Sequence, residues 1–268
     1  MTDQGIRVEG LVKRFGEVTA VGGVSFDVRR GETAALLGGN GAGKTTTISI
    51  LLGLLLPTSG GAWILGEDIL HHRYRVLPRI NFSSPYVDLP KRLTVRENLM
   101  VYARLYGVRQ PDRRIRDLAK ELDIEQFLKR PTGTLSAGQK TRVSLAKALI
   151  NEPDILLLDE PTASLDPDTG DWIRTYLQNY QKRRAATILL ASHNMGEVER
   201  LCDHVMMMRA GIVVDEGTPQ VLLEKYGRDN LEDVFLDIAR NRRGPEAQPM
   251  TVAAAAPTAR PPAGDQHG

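Results

Sequence analysis

The 268 residues carry 35 basic and 33 acidic side chains, a net charge of +2, with 41% hydrophobic and 25% charged residues. That near-balance argues against nucleic acid as the main partner, which needs a concentrated basic footprint, and the length suits one good-sized domain, with or without a small subdomain. The single cysteine, Cys202, has no internal disulfide partner, which fits a reducing compartment.

The first residues, MTDQGIRVEG, show no basic n-region and no apolar h-region, so no signal peptide is expected. In 24–30, Val24, Phe26 and Val28 alternate with polar residues, the pattern of a half-buried strand. Residues 33–37, TAALL, form a short apolar strand that runs into glycines. From Lys44 the pattern becomes helical, with Ile48, Leu51, Leu52 and Leu55 on one face. The apolar run at 48–57 is shorter than the roughly 20 residues a membrane span needs. PTSGG (57–61) breaks the helix, and AWIL (62–65) reads as a strand.

Residues 94–149 read as mostly helical, with Ile115, Leu118, Ala119 and Leu122 at helical spacing after Pro111. The charge run at 113–117 is expected on the solvated face of that helix. Three apolar strands follow, at 155–159, 187–192 and 204–208, with helices between them. This alternation predicts a buried parallel sheet, and the helices inserted at about 94–149 predict a helical subdomain. Residues 231–240 form a last amphipathic helix. The Pro/Ala-rich stretch 241–268 is expected to be a disordered tail.

GGNGAGKT (38–45) fits G-x-x-x-x-G-K-[ST] between a strand and a helix, the context the motif requires. Across Gly38, Gly39, Asn40, Gly41, Ala42 and Gly43, backbone N–H groups turn toward phosphates, and the helix N-terminus adds positive potential. Lys44 would reach the β- and γ-phosphates, Thr45 would ligate Mg²⁺, and Thr46 would bond the α-phosphate. At the end of the strand ILLLD stand Asp159, suited to the metal, and Glu160, suited to polarising an attacking water. Strand alternation predicts that these two side chains diverge.

LSAGQ (135–139) resembles the signature of the ABC ATPases, commonly LSGGQ, with Ala137 in place of a glycine. The run that follows, KTRVSLAKALINEPDILLLDEPTASLD, matches the family from signature helix to SLD loop. His193 matches its switch histidine, and Phe15 its adenine-stacking aromatic. The resemblance covers residues 5–240. It implies an α/β fold: a P-loop NTPase core with a mainly parallel sheet, an antiparallel β subdomain, and an inserted helical subdomain at about 90–150. It implies ATP and Mg²⁺ as cofactors, with Ser136, Gly138 and Gln139 contacting the nucleotide of a second subunit. One chain holds one phosphate loop and one signature, so a head-to-tail homodimer with two ATP molecules is expected. Phe15 by itself reads more readily as a core strand residue, and only the family position favours adenine stacking. Asp166 reads as a helix N-cap before Pro167 or as an interface residue, and both roles can hold.

Three classes of ABC protein compete. Ribosome-acting members carry two ATPase units per chain. DNA-repair members insert long coiled coils before the signature, and the interval from Lys44 to Ser136 is short and lacks heptads. A transporter motor remains, and residues 226–240 resemble the C-terminal helix of subunits that serve exporters. The expected partner is a separate membrane permease whose coupling helix docks in a groove beside the helical subdomain. The expected location is the cytoplasmic face of the membrane, and no nucleic-acid partner is expected.

One departure from the family stands out. Its members carry a glutamine between phosphate loop and helical subdomain, at or beside Pro85 here, yet residues 51–109 hold no glutamine. Ser83 or Ser84 would offer only a shorter hydroxyl to metal or water. Slow or permease-dependent ATP hydrolysis is the expectation.

Overall fold

The computed structural model describes residues 4–84, 88–163 and 165–240. The chain begins with β1 (Gln4–Phe15), β2 (Val18–Arg29), β3 (Thr33–Leu37), α1 (Lys44–Leu51), β4 (Ser59–Ile64), β5 (Glu67–Asp68), α2 (Arg73–Val76) and β6 (Ile80–Ser83). Then come α3 (Val95–Leu105), α4 (Pro111–Glu121), α5 (Ala137–Ala148), β7 (Ile155–Asp159), α6 (Pro167–Arg184), β8 (Thr187–Ser192) and α7 (Met195–Leu201). The last elements are β9 (His204–Arg209), β10 (Ile212–Gly217), α8 (Pro219–Tyr226) and α9 (Leu231–Ala239). The proposed 241–268 tail and Pro85 lie outside the described residues.

The strands form two sheets, one antiparallel in the order β2-β1-β4-β5 and one of six strands in the order β10-β9-β3-β8-β7-β6. In the second sheet β3, β6, β7, β8 and β9 run parallel, and β10 pairs antiparallel with β9. The sequence pattern identifies β3, β7, β8 and β9, and misses β6 and β10 at the two edges.

The central strands are buried on both faces and so read as continuous apolar runs. Their side chains divide between two cores. Ala35, Leu37, Leu156, Leu158, Ile188 and Leu190 join a core shared with α3–α6, including Leu99, Ile115, Val143 and Ile173. Ala34, Leu36, Ile155, Leu157, Leu189 and Ala191 join Val8, Val24, Phe26, Ile48 and Leu51 on the antiparallel-sheet side. Each fully buried Leu or Ile stabilises the fold by about 1.5–3 kcal/mol.

Two boundaries differ from the sequence pattern. The helix from Lys44 stops at Leu51; Gly53 then turns left-handed (φ +67°), and Leu52 and Leu55 pack against the core from the turn beyond. Neither glycine of PTSGG lies in a turn, because β4 already starts at Ser59. Gly60 passes so close to β1 that a Cβ there would lie 2.3 Å from the Gly10 carbonyl oxygen, so only glycine permits that pairing.

The helix starts are set by local chemistry. Thr94 with Glu97, and Ser136 with Gln139, form capping boxes for α3 and α5, and Pro111 opens α4. The expected solvated run at 113–117 is partly corrected. Arg113 pairs with Asp117 in solvent, but Arg114 turns inward and donates to the carbonyls of Leu149 (2.6 Å) and Ile150 (3.3 Å). Those carbonyls at the end of α5 need a donor, and a guanidinium reaches them over its apolar stem.

Candidate nucleotide site

The glycine loop from β3 to α1 is held by close backbone approaches. A Cβ at Gly38 would lie 2.4 Å from the Met208 carbonyl oxygen, and one at Gly43 (φ +101°) 2.6 Å from that of Ala20. The Gly211 amide donates to Ala42, so the β9–β10 turn supports the loop from behind. Gly41 (φ +78°) faces open space and Asn40 is exposed. α1 starts at Lys44 with no side-chain cap, and so its first-turn N–H groups have no side-chain acceptor. That arrangement suits a polyphosphate.

Lys44 is 6% exposed, and its Nζ donates to the carbonyls of Gly38 (2.6 Å) and Gly39 (3.2 Å). Burial pulls its pKa down, against the opposing pull of Glu160 and Asp159. Thr45 Oγ1 lies 3.2 and 3.4 Å from the two oxygens of Asp159, which is 3% exposed. Burial raises the Asp159 carboxyl, while the Thr45 hydroxyl bond lowers it. A hydroxyl and a carboxylate are hard oxygen donors that fit Mg²⁺. No cluster of three His, Cys, Asp or Glu that could hold a metal ion occurs among the described residues.

Glu160 differs from the strand-based expectation. β7 ends at Asp159, and Glu160 turns left-handed (φ +52°), its amide donating to the Ala191 carbonyl at 2.8 Å. The turn, rather than strand alternation, sets its direction. Its Oε1 comes within 3.9 Å of Lys44 Nζ and 2.7 Å of His193 Nδ1. Lys44, Thr45, Asp159, Glu160 and His193 therefore form one linked cluster at the carboxyl ends of β3, β7 and β8.

Phe15 ends β1 and is 50% exposed, with Lys13 Nζ 4.9 Å from its ring centroid. Its exposure corrects the core-strand reading. Thr46 is half-buried on the first turn of α1. The signature residues make their own contacts on α5 and α6. Ser136 Oγ accepts the Gln139 amide, and Gln139 Oε1 accepts that of Ser136. A Cβ at Gly138 would lie 3.4 Å from Thr169 of α6. Asp166 caps that same helix by accepting the Thr169 amide at 2.9 Å, a bond that holds its carboxyl below the usual range. The signature and the Asp166 loop thus adjoin within one chain, which spacing alone did not reveal.

Ser83 is the last residue of β6. Its Oγ lies 3.0 Å from Ser144 Oγ on α5, so its hydroxyl faces the signature helix. Ser84 is buried. Sequence reasoning also missed Thr162, Ser192 and Glu197. Glu197, three residues past the Asn194 cap of α7, would ordinarily bond back to that cap; here it accepts from Thr162 Oγ1 and Ser192 Oγ, each at 2.8 Å.

A glycine-looped strand–helix junction at β3, a carboxylate ending β7 two strands along the parallel sheet and an inserted helical block define a P-loop nucleoside triphosphatase cassette. The chain belongs to the ABC transporter family, whose pattern it matches over residues 21–163, and it is an ATP-binding, ATP-hydrolysing subunit. It is 40% identical over 230 residues to Nod factor export ATP-binding protein I of Ralstonia nicotianae, covering 85% of this chain and 71% of that one. Among solved structures it resembles cbiO1 of Clostridium perfringens, part of the ABC transporter complex cbiONQ (31% identity, TM-score 0.74, 90% of this chain and 98% of that one). It also resembles a dimeric bacterial ABC transporter cassette (26% identity, TM-score 0.73, 80% and 98%).

Proposed function

We propose that this chain is the motor of an exporter. Two copies meet head to tail, hold two ATP molecules between them, and drive a separate membrane permease from the cytoplasmic side. The observation that carries this reading is the linked cluster of Lys44, Thr45, Asp159, Glu160 and His193, while the contacts of Ser136 and Gly138 run to α5 itself and to α6. The dimeric relative supports completion of each site by a second copy, and the Nod factor export relative supports export. No described helix is long and apolar enough to cross a membrane, so the span is assigned to the permease. Exposed Val101 and Leu105, one turn apart on α3, supply apolar surface for its coupling helix.

In this reading Phe15 stacks on adenine. Residues 38–43, Lys44 and Thr46 hold the phosphates, and Thr45 and Asp159 hold Mg²⁺, which when bound neutralises phosphate charge. Glu160 accepts a proton from the attacking water. His193, bonded to Glu160, fixes that carboxylate and faces the γ-phosphate. Ser136 and Gly138 of the second copy close the cage, with Gln139 and Asp166 holding their two helix starts. ATP therefore favours the closed pair, and loss of the γ-phosphate removes that preference. Two measurements test this reading: whether a multi-span permease co-purifies from solubilised membranes, and whether ATP hydrolysis per chain falls on dilution. Co-purified ribosomes, or dilution-independent turnover, would overturn it.

A further inference from the structure

Glu197 is a carboxylate only 2% exposed, outside the residues that face the nucleotide in the reading above. Its Oε1 accepts from Thr162 Oγ1 and its Oε2 from Ser192 Oγ, both at 2.8 Å. Thr162 lies two residues after Glu160 on the turn that leaves β7. Ser192 is the last residue of β8 and immediately precedes His193. The Ser192 hydroxyl also accepts the Asn194 amide at 3.0 Å, and Asn194 Oδ1 accepts the Glu197 amide at 3.1 Å.

A buried carboxylate is retained at a cost unless its oxygens are satisfied. Here the two oxygens are shared between two separate loops, one carrying Glu160 and the other His193. We propose that Glu197 is a positioning residue for hydrolysis, whose carboxylate fixes the Glu160 loop against the His193 loop and so sets their 2.7 Å contact. The proposal rests on the roles given above to Glu160 and His193. Chemistry of this kind is sensitive to geometry, because a shift of about 1 Å in a base costs on the order of 100-fold in rate. Apolar packing of α7 through Val198 and Leu201 holds the helix in place regardless, so the carboxylate adds orientation to an element already anchored.

The test uses the full-length protein and its steady-state ATP hydrolysis. Glu197→Ala is expected to lower kcat about 10- to 100-fold while KM for ATP changes less than about 3-fold. Thr162→Val, which removes one hydroxyl at nearly constant volume, should lower kcat in the same direction and add little to Glu197→Ala, because both cut one link. Glu197→Gln keeps one acceptor oxygen and should restore part of the loss. If Glu197→Ala does not fold, Thr162→Val and Glu197→Gln carry the test alone. Unchanged kcat in these variants, with only a lowered melting temperature, would overturn the proposal. Glu160→Gln serves as the control. If it is inactive while the Glu197 and Thr162 variants turn over normally, only the positioning role fails. If it turns over normally, the reading of Glu160 as base fails, and the proposal with it.

Discussion

His193 Nδ1 lies 2.7 Å from Glu160 Oε1, and that same oxygen lies 3.9 Å from Lys44 Nζ. One carboxylate oxygen is thus shared by a ring nitrogen from β8's loop and an ammonium from the phosphate loop. Glu160→Gln preserves shape and backbone while removing the proton acceptor. We expect kcat for ATP to fall about 100- to 10,000-fold with nucleotide affinity retained. Steady-state hydrolysis and equilibrium nucleotide binding check this, and normal turnover would remove Glu160 from the role of base.

Lys44 is the buried cation that faces both Asp159 and Glu160. Lys44→Ala should weaken ATP binding by at least about 100-fold, because a charge-assisted phosphate contact is lost in a water-poor site. Calorimetric titration of the variant decides this, and undiminished affinity would count against the phosphate loop.

Ser136 caps α5, and in the proposed dimer its segment faces the second copy's nucleotide. Ser136→Ala should cost about 1 kcal/mol of stability through the lost cap. In a Glu160→Gln background it should also reduce ATP-dependent dimerisation. Sizing with and without ATP separates the effects: a stability loss with dimerisation intact would leave Ser136 as a cap only.

Lys147 on α5 donates to the Phe82 carbonyl at 2.8 Å and sits over the Tyr102 ring. Burial pushes its pKa down to about 8 from 10.5. Below pH 8 both folded and unfolded chains hold the proton, and folding carries the full cost of burying the charge. Between about 8 and 10.5 the folded state releases the proton first, so the unfolded state binds more protons. This group alone therefore makes stability rise with pH across that window, by about 2–3 kcal/mol. Urea unfolding from pH 7.5 to 10.5 should show that rise in the wild type and not in Lys147→Met; parallel curves would refute it.

The missing glutamine near Pro85 predicts slow hydrolysis without permease. The Ser83 hydroxyl sits against Ser144, and a serine is shorter than a glutamine and lacks its amide. Pro85→Gln is expected to raise permease-independent turnover several-fold, and no change would leave the loop a purely mechanical role. Ser84, which is buried but lines a cavity of about 380 Å³, is the second position for this test, and Ser84→Gln is expected to act in the same direction.

The phosphate loop was legible because its glycines sit where an apolar strand gives way to helical spacing, and backbone approaches at Gly38 and Gly43 enforce that composition. β7 and β8 were legible as fully buried runs. β6 was not, because buried Asn81 interrupts its apolar pattern; it is satisfied by the Lys147 carbonyl and Asn151, 66 and 70 residues away. β10 lies at a sheet edge, half-exposed, and its IVVDEG shows no burial signal. The left-handed turn at Glu160 has no sequence signature either, since glycine is the usual marker of that conformation and none stands there. Nothing in the local sequence marks Glu197 beyond its place in the first turn of α7, and only the fold brings Thr162 and Ser192 within its reach.

The division of the central sheet between two cores makes it a partition as well as a scaffold. Neighbouring residues on β7 belong to opposite compartments: Leu157 to the antiparallel-sheet side, Leu158 to the helical side. Truncating each to alanine should cost a comparable 2–5 kcal/mol, yet loosen different halves of the molecule. Amide hydrogen exchange should quicken in β1 and β2 for Leu157→Ala, and in α4 and α5 for Leu158→Ala. A step of one residue along a buried strand thus selects which compartment opens first.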